Sequence, residues 1–161
     1  MRFVVDGMLG GLARWLRILG HEVRYDSHAN DDDLLVLALG NEMILLTRDE
    51  ELCQRAQARG IPALLVSGKG EGERLSEVAQ KYQIPLTIDM TLTRCPKCGS
   101  GLLEASKEEI AGRVPPKSLK MYSEFWKCAN AGCEKIYWMG SHWKQINQTL
   151  SEARQLSGLG E

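Results

Sequence analysis

Residues 2–20, RFVVDGMLGGLARWLRILG, join a short apolar run to an amphipathic segment. The run RFVVD (2–6) is typical of a buried β-strand, and it ends at the carboxylate of Asp6. The next apolar residues recur at the i, i+3 and i+4 spacing of a helix: Leu9, Leu12, Ala13, Leu16 and Leu19. This spacing predicts a helix over 8–19 that stops at Gly20. A strand that leads directly into a helix is the repeating unit of an α/β fold.

The same alternation continues to about residue 88. Further strands are predicted over 21–25, 43–47 and 61–67, and further helices over 32–39, 48–60 and 72–82. Asn30 or Asp31 is expected to cap the second helix, because both residue types accept a hydrogen bond from a free helix amide. The run MILLT (43–47) is apolar enough for a central strand. The alternation predicts a parallel sheet flanked by helices.

The strand–helix rhythm ends near residue 90, where cysteines, prolines and aromatic residues take over. We therefore predict two domains, 1–90 and 91–161. The first carries 10 Lys/Arg and 14 Asp/Glu, a net charge of −4, and residues 91–161 carry 10 and 7, a net charge of +3. This asymmetry suits a cation site beside a surface that meets phosphates, although two solvated surfaces would also produce it.

Several classes of protein are disfavoured. No apolar stretch approaches the roughly 20 residues that cross a bilayer, and the N-terminus lacks the pattern of a signal peptide. We expect a cytoplasmic protein without membrane contact. The glycine-rich loop of P-loop nucleotide triphosphatases and the G-x-S-x-G elbow of serine hydrolases are also missing from the sequence.

Carboxylates accumulate where the predicted strands end. They are Asp6 after the first strand, Asp26 after the second, Asp49 after the third, and Asp31, Asp32 and Asp33 at the start of the second helix. Because the carboxyl ends of parallel strands share one edge of the sheet, several of these groups should converge. A hard cation such as Mg²⁺ or Mn²⁺ would offset their repulsion.

Each acid also has a local alternative. Asp31 or Asp49 could simply cap a helix, and Asp26 is typical of a turn. Among the three consecutive aspartates, Asp31 shares the apolar face of its helix and should point toward the sheet edge. Asp33 is expected to be solvated and Asp32 to be intermediate.

Four of the five cysteines form two close pairs, CPKC at 95–98 and CANAGC at 128–133. Four thiolates in two pairs fit tetrahedral Zn²⁺, with Cys95, Cys98, Cys128 and Cys133 as ligands. The 29 residues between the pairs require an extended hairpin. Redox chemistry at CPKC is the alternative, but such motifs usually follow the first strand of a domain. Cys53 is interpreted as an ordinary buried residue.

After the last cysteine, a strand is predicted over 135–139, followed by a helix that Ser141 caps. The apolar stripe of that helix consists of Trp143, Ile146 and Leu150. Aromatic faces hold unstacked bases, and cations hold phosphates. Trp138, His142 and Lys144 are therefore candidate RNA contacts, with packing inside the protein as the alternative for the tryptophans.

The segments FVVDGMLGGLARWLRILG, DDDLLVLA, ILLTRD, RCPKCGSGL and YWMGSHW occur in this order over roughly 2–146. As a combination, they closely resemble the PIN-like ribonuclease domain named after the C-terminal region of Mut-seven exonucleases, with its attached zinc ribbon. The resemblance implies a PIN-like parallel sheet flanked by helices at 1–90, followed by a small β-rich zinc ribbon with a C-terminal helix at 91–161. It also implies a Mg²⁺ or Mn²⁺ centre and single-stranded RNA as substrate.

The acidic positions that match the family are Asp6, Asp31 and Asp49. PIN nucleases usually carry four acids, whereas this chain has Ser67 where the fourth strand would deliver one. The resemblance thus leaves one ligand position to another acid: Asp26, Asp32 or Glu50.

Two hypotheses follow. In the first, the chain is a metal-dependent ribonuclease whose metal is held by Asp6, Asp31 and Asp49, with a metal-bound water attacking the phosphodiester bond. The cations expected to steer the RNA backbone are Arg14, Arg17 and Arg48. In the second, the chain is a non-catalytic RNA-, tRNA- or ribosome-binding protein with structural zinc and a degenerate acidic site.

Overall fold

The computed structural model describes residues 1–159 and builds them into two sheets. The first part consists of β1 (Arg2–Val5), a 3₁₀ turn (Gly7–Leu9), α1 (Gly10–Ile18), β2 (Glu22–Tyr25), α2 (Asp31–Asn41), β3 (Ile44–Thr47), α3 (Glu50–Ala58), β4 (Ala63–Leu65) and α4 (Glu71–Tyr82). All four strands are parallel, in the order β2-β1-β3-β4. The predicted parallel sheet with flanking helices is confirmed.

The strand β1 lies inside the sheet, and its side chains alternate between two helical layers. Phe3 and Val5 pack with residues of α1 and α4, whereas Val4 packs with residues of α2 and α3. All three side chains are fully buried. A strand covered on both faces needs apolar residues at every position, which explains the continuous run FVV. This arrangement leaves the ends of the strands as the polar part of the sheet.

Two helices begin at side-chain caps on this polar edge. Asn30 accepts a hydrogen bond from the Asp33 amide at 2.9 Å and thereby begins α2. Asp49 accepts one from the Leu52 amide at 3.2 Å and begins α3. Because Asn30 takes the capping position, Asp31 is the first residue of α2 and its carboxylate is not used as the cap.

The second part of the chain contains a small antiparallel sheet of order β5-β6-β7. Its elements are β5 (Leu102–Ala105), α5 (Lys107–Ile110), α6 (Pro116–Met121), β6 (Phe125–Cys128) and β7 (Ile136–Tyr137), followed by α7 (Trp143–Ser157). Its own core comprises Ile110, Val114 and Phe125. The 29 residues between the cysteine pairs hold β5, α5, α6 and most of β6, so two short helices separate the strands of the extended hairpin.

The start of α7 differs from the prediction. Ser141 does not cap the helix, because α7 begins at Trp143 after His142 and no side chain caps it. A backbone turn replaces the cap, since the Trp143 amide donates to the Gly140 carbonyl at 3.0 Å. The preceding strand is also shorter than predicted and covers only Ile136–Tyr137.

The helix α7 packs against α4 rather than against the small sheet alone. Leu150 and Ala153 belong to the same buried cluster as the α1 and α4 side chains. The division of the chain near residue 90 stays a prediction. The helix α7, which lies beyond that residue, completes the core of the first sheet. Among residues 1–159, no helix has the length and apolarity that a membrane span requires.

Candidate active site and metal centre

Asp6 stands at the carboxyl end of β1, where a hydrogen-bonded chain ties it to β3. Thr47 Oγ1 donates to Asp6 Oδ2 at 2.8 Å, and the Asp49 amide donates to the same Thr47 oxygen at 3.0 Å. The Asp6 amide donates to the Leu46 carbonyl at 3.0 Å, which continues the sheet pairing to this residue. Thr47 is fully buried, so it holds the two acidic residues in a fixed relation.

Asp49 serves as the α3 cap and still presents a free carboxylate oxygen. Its Oδ1 accepts the Leu52 amide, whereas Oδ2 makes no hydrogen bond within residues 1–159. The side chain is exposed at the polar edge of the sheet. Asp49 can thus cap α3 with Oδ1 and still offer Oδ2 to a metal ion.

Asp31 lies within the electrostatic influence of the other two acids. Burial, followed by the negative charges of Asp49 and Asp6, raises the pKa of the Asp31 carboxyl above its usual range. The nearest opposing charge is Arg55, whose Nη1 lies 4.0 Å from Asp31 Oδ2. Asp32 makes a closer pair with Arg55, at 2.5 Å, and its side chain is 79% exposed. Asp6 and Asp49 are therefore close enough for their charges to act on Asp31, whereas Asp32 pairs with Arg55.

This acidic group is looser than a filled metal site. Within residues 1–159, no three carboxylate oxygens form a set that lies wholly within 4.8 Å. The donor chemistry nevertheless fits a hard cation, since Mg²⁺ prefers carboxylate oxygens and keeps several waters in its coordination shell. Asp6, Asp31 and Asp49 are thus suitable donors to such an ion.

The other acids considered in the sequence have local roles. Asp26 accepts the His28 amide at 2.9 Å in a turn and is exposed. Glu50 is exposed and accepts from Gln54 at 3.5 Å. Ser67 donates its amide to Glu77 at 2.9 Å, so an acid from α4 reaches the loop after β4.

Sequence reasoning missed Glu71, the first residue of α4. It accepts a hydrogen bond from Trp15 Nε1 at 2.8 Å and lies against Gly11, where an added Cβ would sit 2.5 Å from Glu71 Oε1. Because α4 starts beyond the end of β4, Glu71 belongs to the carboxyl edge of the sheet. The signal in the sequence was an acid opening the helix after the fourth strand, six residues beyond its end.

The four late cysteines form a compact thiol cluster. Cys95 and Cys133 have their sulfurs 3.8 Å apart, and Cys98 and Cys128 have theirs 3.4 Å apart. All four sulfur atoms lie within 4.8 Å of one another, and none is in a disulfide. Tetrahedral Zn²⁺ with bonds of about 2.3 Å would hold sulfurs about 3.8 Å apart. The cluster can therefore hold a structural metal such as zinc.

The surroundings of the cluster differ from one thiol to the next. Burial raises the pKa of Cys128 and Cys133. Burial acts in the same direction at Cys98, but hydrogen bonds with Ser100, Cys128 and Cys133 together outweigh it and lower the pKa to about 6. Tyr137 Oη lies 3.0 Å from Cys95 Sγ. Cys53 stands apart as a buried residue, and burial raises the pKa of its thiol.

Comparison with protein families decides the affiliation. The model of the Mut7-C RNAse domain matches residues 1–150. The chain belongs to this family. The Mut7-C RNAse domain is of nuclease type, which agrees with the acidic edge and the cysteine cluster described above. No curated protein and no solved structure matches the chain.

The arginines of this Mut7-C domain occupy three different environments. Arg14 is exposed on α1, and Arg48 donates to the Gly68 carbonyl at 2.8 Å. Arg17 is only 6% exposed, and its guanidinium donates to the carbonyls of Val23 at 3.1 Å and Pro96 at 3.2 Å. The structure thus places Arg17 in the joint between the two sheets, where backbone carbonyls occupy its guanidinium.

The expected aromatic contacts lie beside an apolar pocket of the Mut7-C domain. Trp138 is half-buried and packs on Phe125 with ring centroids 6.0 Å apart. Trp138, His142 and Trp143 all line the pocket. His142 and Lys144 are exposed at the start of α7. Packing and RNA contact are therefore both compatible with Trp138.

Proposed function

We propose that the chain is a metal-dependent ribonuclease that hydrolyses phosphodiester bonds of single-stranded RNA. The observation that carries the proposal is the position of Asp6, Asp31 and Asp49 at one sheet edge, where burial and then the charges of Asp49 and Asp6 raise the pKa of Asp31. Nothing in the packing of a parallel sheet requires three carboxylates at one edge, and perturbed carboxyls are typical of catalytic sites. Membership of a nuclease-type family supports the same assignment.

Asp6, Asp31, Asp49 and the adjacent Asp32 would hold Mg²⁺ or Mn²⁺. When bound there, the cation would activate a water and offset the charge that develops on the scissile phosphate. Thr47 would keep Asp6 oriented through its 2.8 Å hydrogen bond. Asp31 must lose its proton to act as a ligand, so its raised pKa makes metal binding weaker at acidic pH.

The cysteine cluster would bind a structural Zn²⁺, separate from the catalytic cation. Arg14 and Arg48 remain the arginines proposed to contact the RNA backbone, and Trp138, His142 and Lys144 the proposed contacts on the second part of the chain. Among the three arginines expected from sequence, Arg17 is left out because it is buried.

One observation favours the second hypothesis, in which RNA, tRNA or the ribosome is bound without cleavage. Arg55 pairs with Asp32 at 2.5 Å and approaches Asp31 at 4.0 Å. A protein cation therefore already offsets part of the acidic charge. In a degenerate site the Arg55 guanidinium would take the place of the metal. In an active site Arg55 would move away from Asp31, and Asp31 would bind the cation.

The test is Mn²⁺-dependent cleavage of an end-labelled single-stranded RNA by the wild type and by Asp6→Asn. We expect Asp6→Asn to lower the rate by about 100-fold or more, because loss of one ligand charge weakens the transition-state stabilisation. Asp33→Asn is the matched control, since Asp33 belongs to the same acidic run but is exposed. It should cleave at close to the wild-type rate. Equal cleavage by wild type and Asp6→Asn would contradict the proposal, and RNA binding without any cleavage would support the second hypothesis.

A further inference from the structure

A groove of about 490 Å³ separates the first turn of α1 from the loops that carry the cysteines. Arg14 lines it from α1, and Lys97 and Lys135 line it from the cysteine loops. A volume of several hundred Å³ is typical of sites that take ligands of nucleotide size. The groove is therefore built by both parts of the chain and is large enough for a polymer segment.

Positive charge predominates among the residues that line this groove. Within residues 1–159, the side chains of Arg14, Lys97 and Lys135 take part in no ion pair, and no acidic residue lines the groove. Arg17 forms part of the wall, and its Nε is buried without a hydrogen-bond partner. Converging unpaired cations in a concave surface raise the local concentration of anions.

Two aromatic rings accompany these cations. Tyr25 and Tyr137 both line the groove, and their hydroxyls are anchored, Tyr25 Oη to the Gly7 carbonyl at 2.8 Å and Tyr137 Oη beside Cys95 Sγ. Gly10 allows the Tyr25 ring to lie against α1, because a Cβ there would stand 2.8 Å from its hydroxyl. Fixed aromatic rings among cations are typical of surfaces that bind single-stranded nucleic acid.

The groove also lies close in the chain to the acidic edge. Gly10 and Gly11 line it, and they follow directly on the turn in which the Leu9 amide donates to the Asp6 carbonyl at 2.9 Å. Lys97 stands between two cysteines of the cluster, and Lys135 is two residues beyond Cys133. The loops of the cysteine cluster thus carry two groove cations, and α1 carries the third.

We propose that this groove binds the phosphate backbone of single-stranded RNA and directs it toward the edge that carries Asp6. The identity of the polymer rests on the function proposed above, whereas the preference for a polyanion rests on the groove itself. Lys97 and Lys135 are its new contact residues, and they give the second part of the chain a role in holding substrate.

The test uses fluorescence anisotropy with a short labelled oligouridine RNA, in the Asp6→Asn background so that no cleavage intervenes. In Lys97→Gln/Lys135→Gln, we expect binding to weaken about tenfold at physiological salt. The negative slope of log K against log salt should decrease in magnitude by about 1.4, because each lost phosphate contact on a single strand removes about 0.7. Arg14→Gln, which lies outside the cysteine loops, should weaken binding in the same direction. Lys97→Arg/Lys135→Arg should retain it.

The matched control is Lys117→Gln/Lys120→Gln, which removes the same charge from exposed positions of α6 away from the groove. Equal weakening in this control and in the groove pair would overturn the proposal, because it would reduce the effect to net charge. Unchanged binding in the groove variants would overturn it as well. The outcome is independent of the cleavage test. If the groove variants lose binding and the wild type cleaves no RNA, the groove proposal stands and the nuclease proposal fails. If cleavage depends on Asp6 and the groove variants bind normally, the nuclease proposal stands and the groove proposal fails.

Discussion

At the scale of single residues, Arg17 is the side chain that joins the two sheets. It extends from α1 and donates to carbonyls of Val23, Pro96 and Lys97, so it reaches β2 and the first cysteine loop at once. Burial lowers the pKa of its guanidinium, while the nearby thiols of Cys98 and Cys95 counteract this effect. A buried cation without acceptors would destabilise the fold. Removal of a buried cation that has acceptors is also destabilising, because its buried acceptors then lose their donor.

Replacement of Arg17 by methionine should therefore lower the free energy of unfolding by about 2–4 kcal/mol, because buried carbonyls lose a charged donor. Urea unfolding followed by circular dichroism measures this change. Arg14→Met is the control on the same helix, where an exposed side chain should change stability by less than about 0.5 kcal/mol. Equal effects at the two positions would show that the contacts of Arg17 contribute nothing to stability.

The sequence predicted functional roles for both Asp31 and Arg17, and the structure buries Arg17 at 6% exposure. The direction of Asp31 depends on helical periodicity, since it shares a helix face with buried Leu34 and Leu35 of its own element. The environment of Arg17 depends on carbonyls 79 and 80 residues further along the chain. Local spacing contains no information about such partners, and an arginine on a helix is usually solvated.

At the scale of elements, α7 connects the end of the chain to the first core. Its buried residues include Leu150 and Ala153, which join the cluster formed by α1 and α4. Arg154 reinforces the contact by donating to the Leu86 carbonyl at 2.6 Å. The helix is therefore a component of the layer that covers the four-stranded sheet.

Truncation of Leu150 to alanine should cost about 2–4 kcal/mol, because a fully packed leucine loses its contacts and leaves a cavity. Leu150 is 2% exposed, whereas Leu156 on the same helix is 53% exposed and provides the matched control. Leu156→Ala should shift the urea midpoint little. A small effect of Leu150→Ala would mean that α7 is not part of the cooperative core.

The elements that sequence reasoning located best are those with a continuous local signal. Central parallel strands such as β1 and β3 need apolar residues on both faces, and their helices carry a clear 3.6-residue stripe, so both types were predicted. The start of α7 was missed because Ser141 matches the residue preference of a cap while the backbone turn from Gly140 to Trp143 does the capping. The packing of α7 on α4 was not predicted either, because an apolar stripe indicates that a helix face is buried but not which element covers it.

At the scale of the whole molecule, the two sheets differ in the size of the hydrophobic cores that stabilise them. Among residues 1–159, the clusters around the four-stranded sheet contain eighteen and nine buried residues, and the cluster of the small sheet contains three. A core of three residues cannot offset the conformational entropy of its segment without a further constraint. The four cysteines can supply that constraint through a bound metal.

Removal of the proposed zinc with a chelator should therefore unfold the small sheet and leave the large one intact. Hydrogen–deuterium exchange with mass spectrometry should show loss of protection in peptides that cover β5, β6 and β7. Peptides that cover β1, β3 and α7 should stay protected, because their side chains belong to the larger cores. Zn²⁺ should restore protection, whereas Mg²⁺ should not, since thiolates are poor ligands for a hard cation. Simultaneous loss of protection in β1 would contradict this account and show that the metal supports the entire molecule as one cooperative unit.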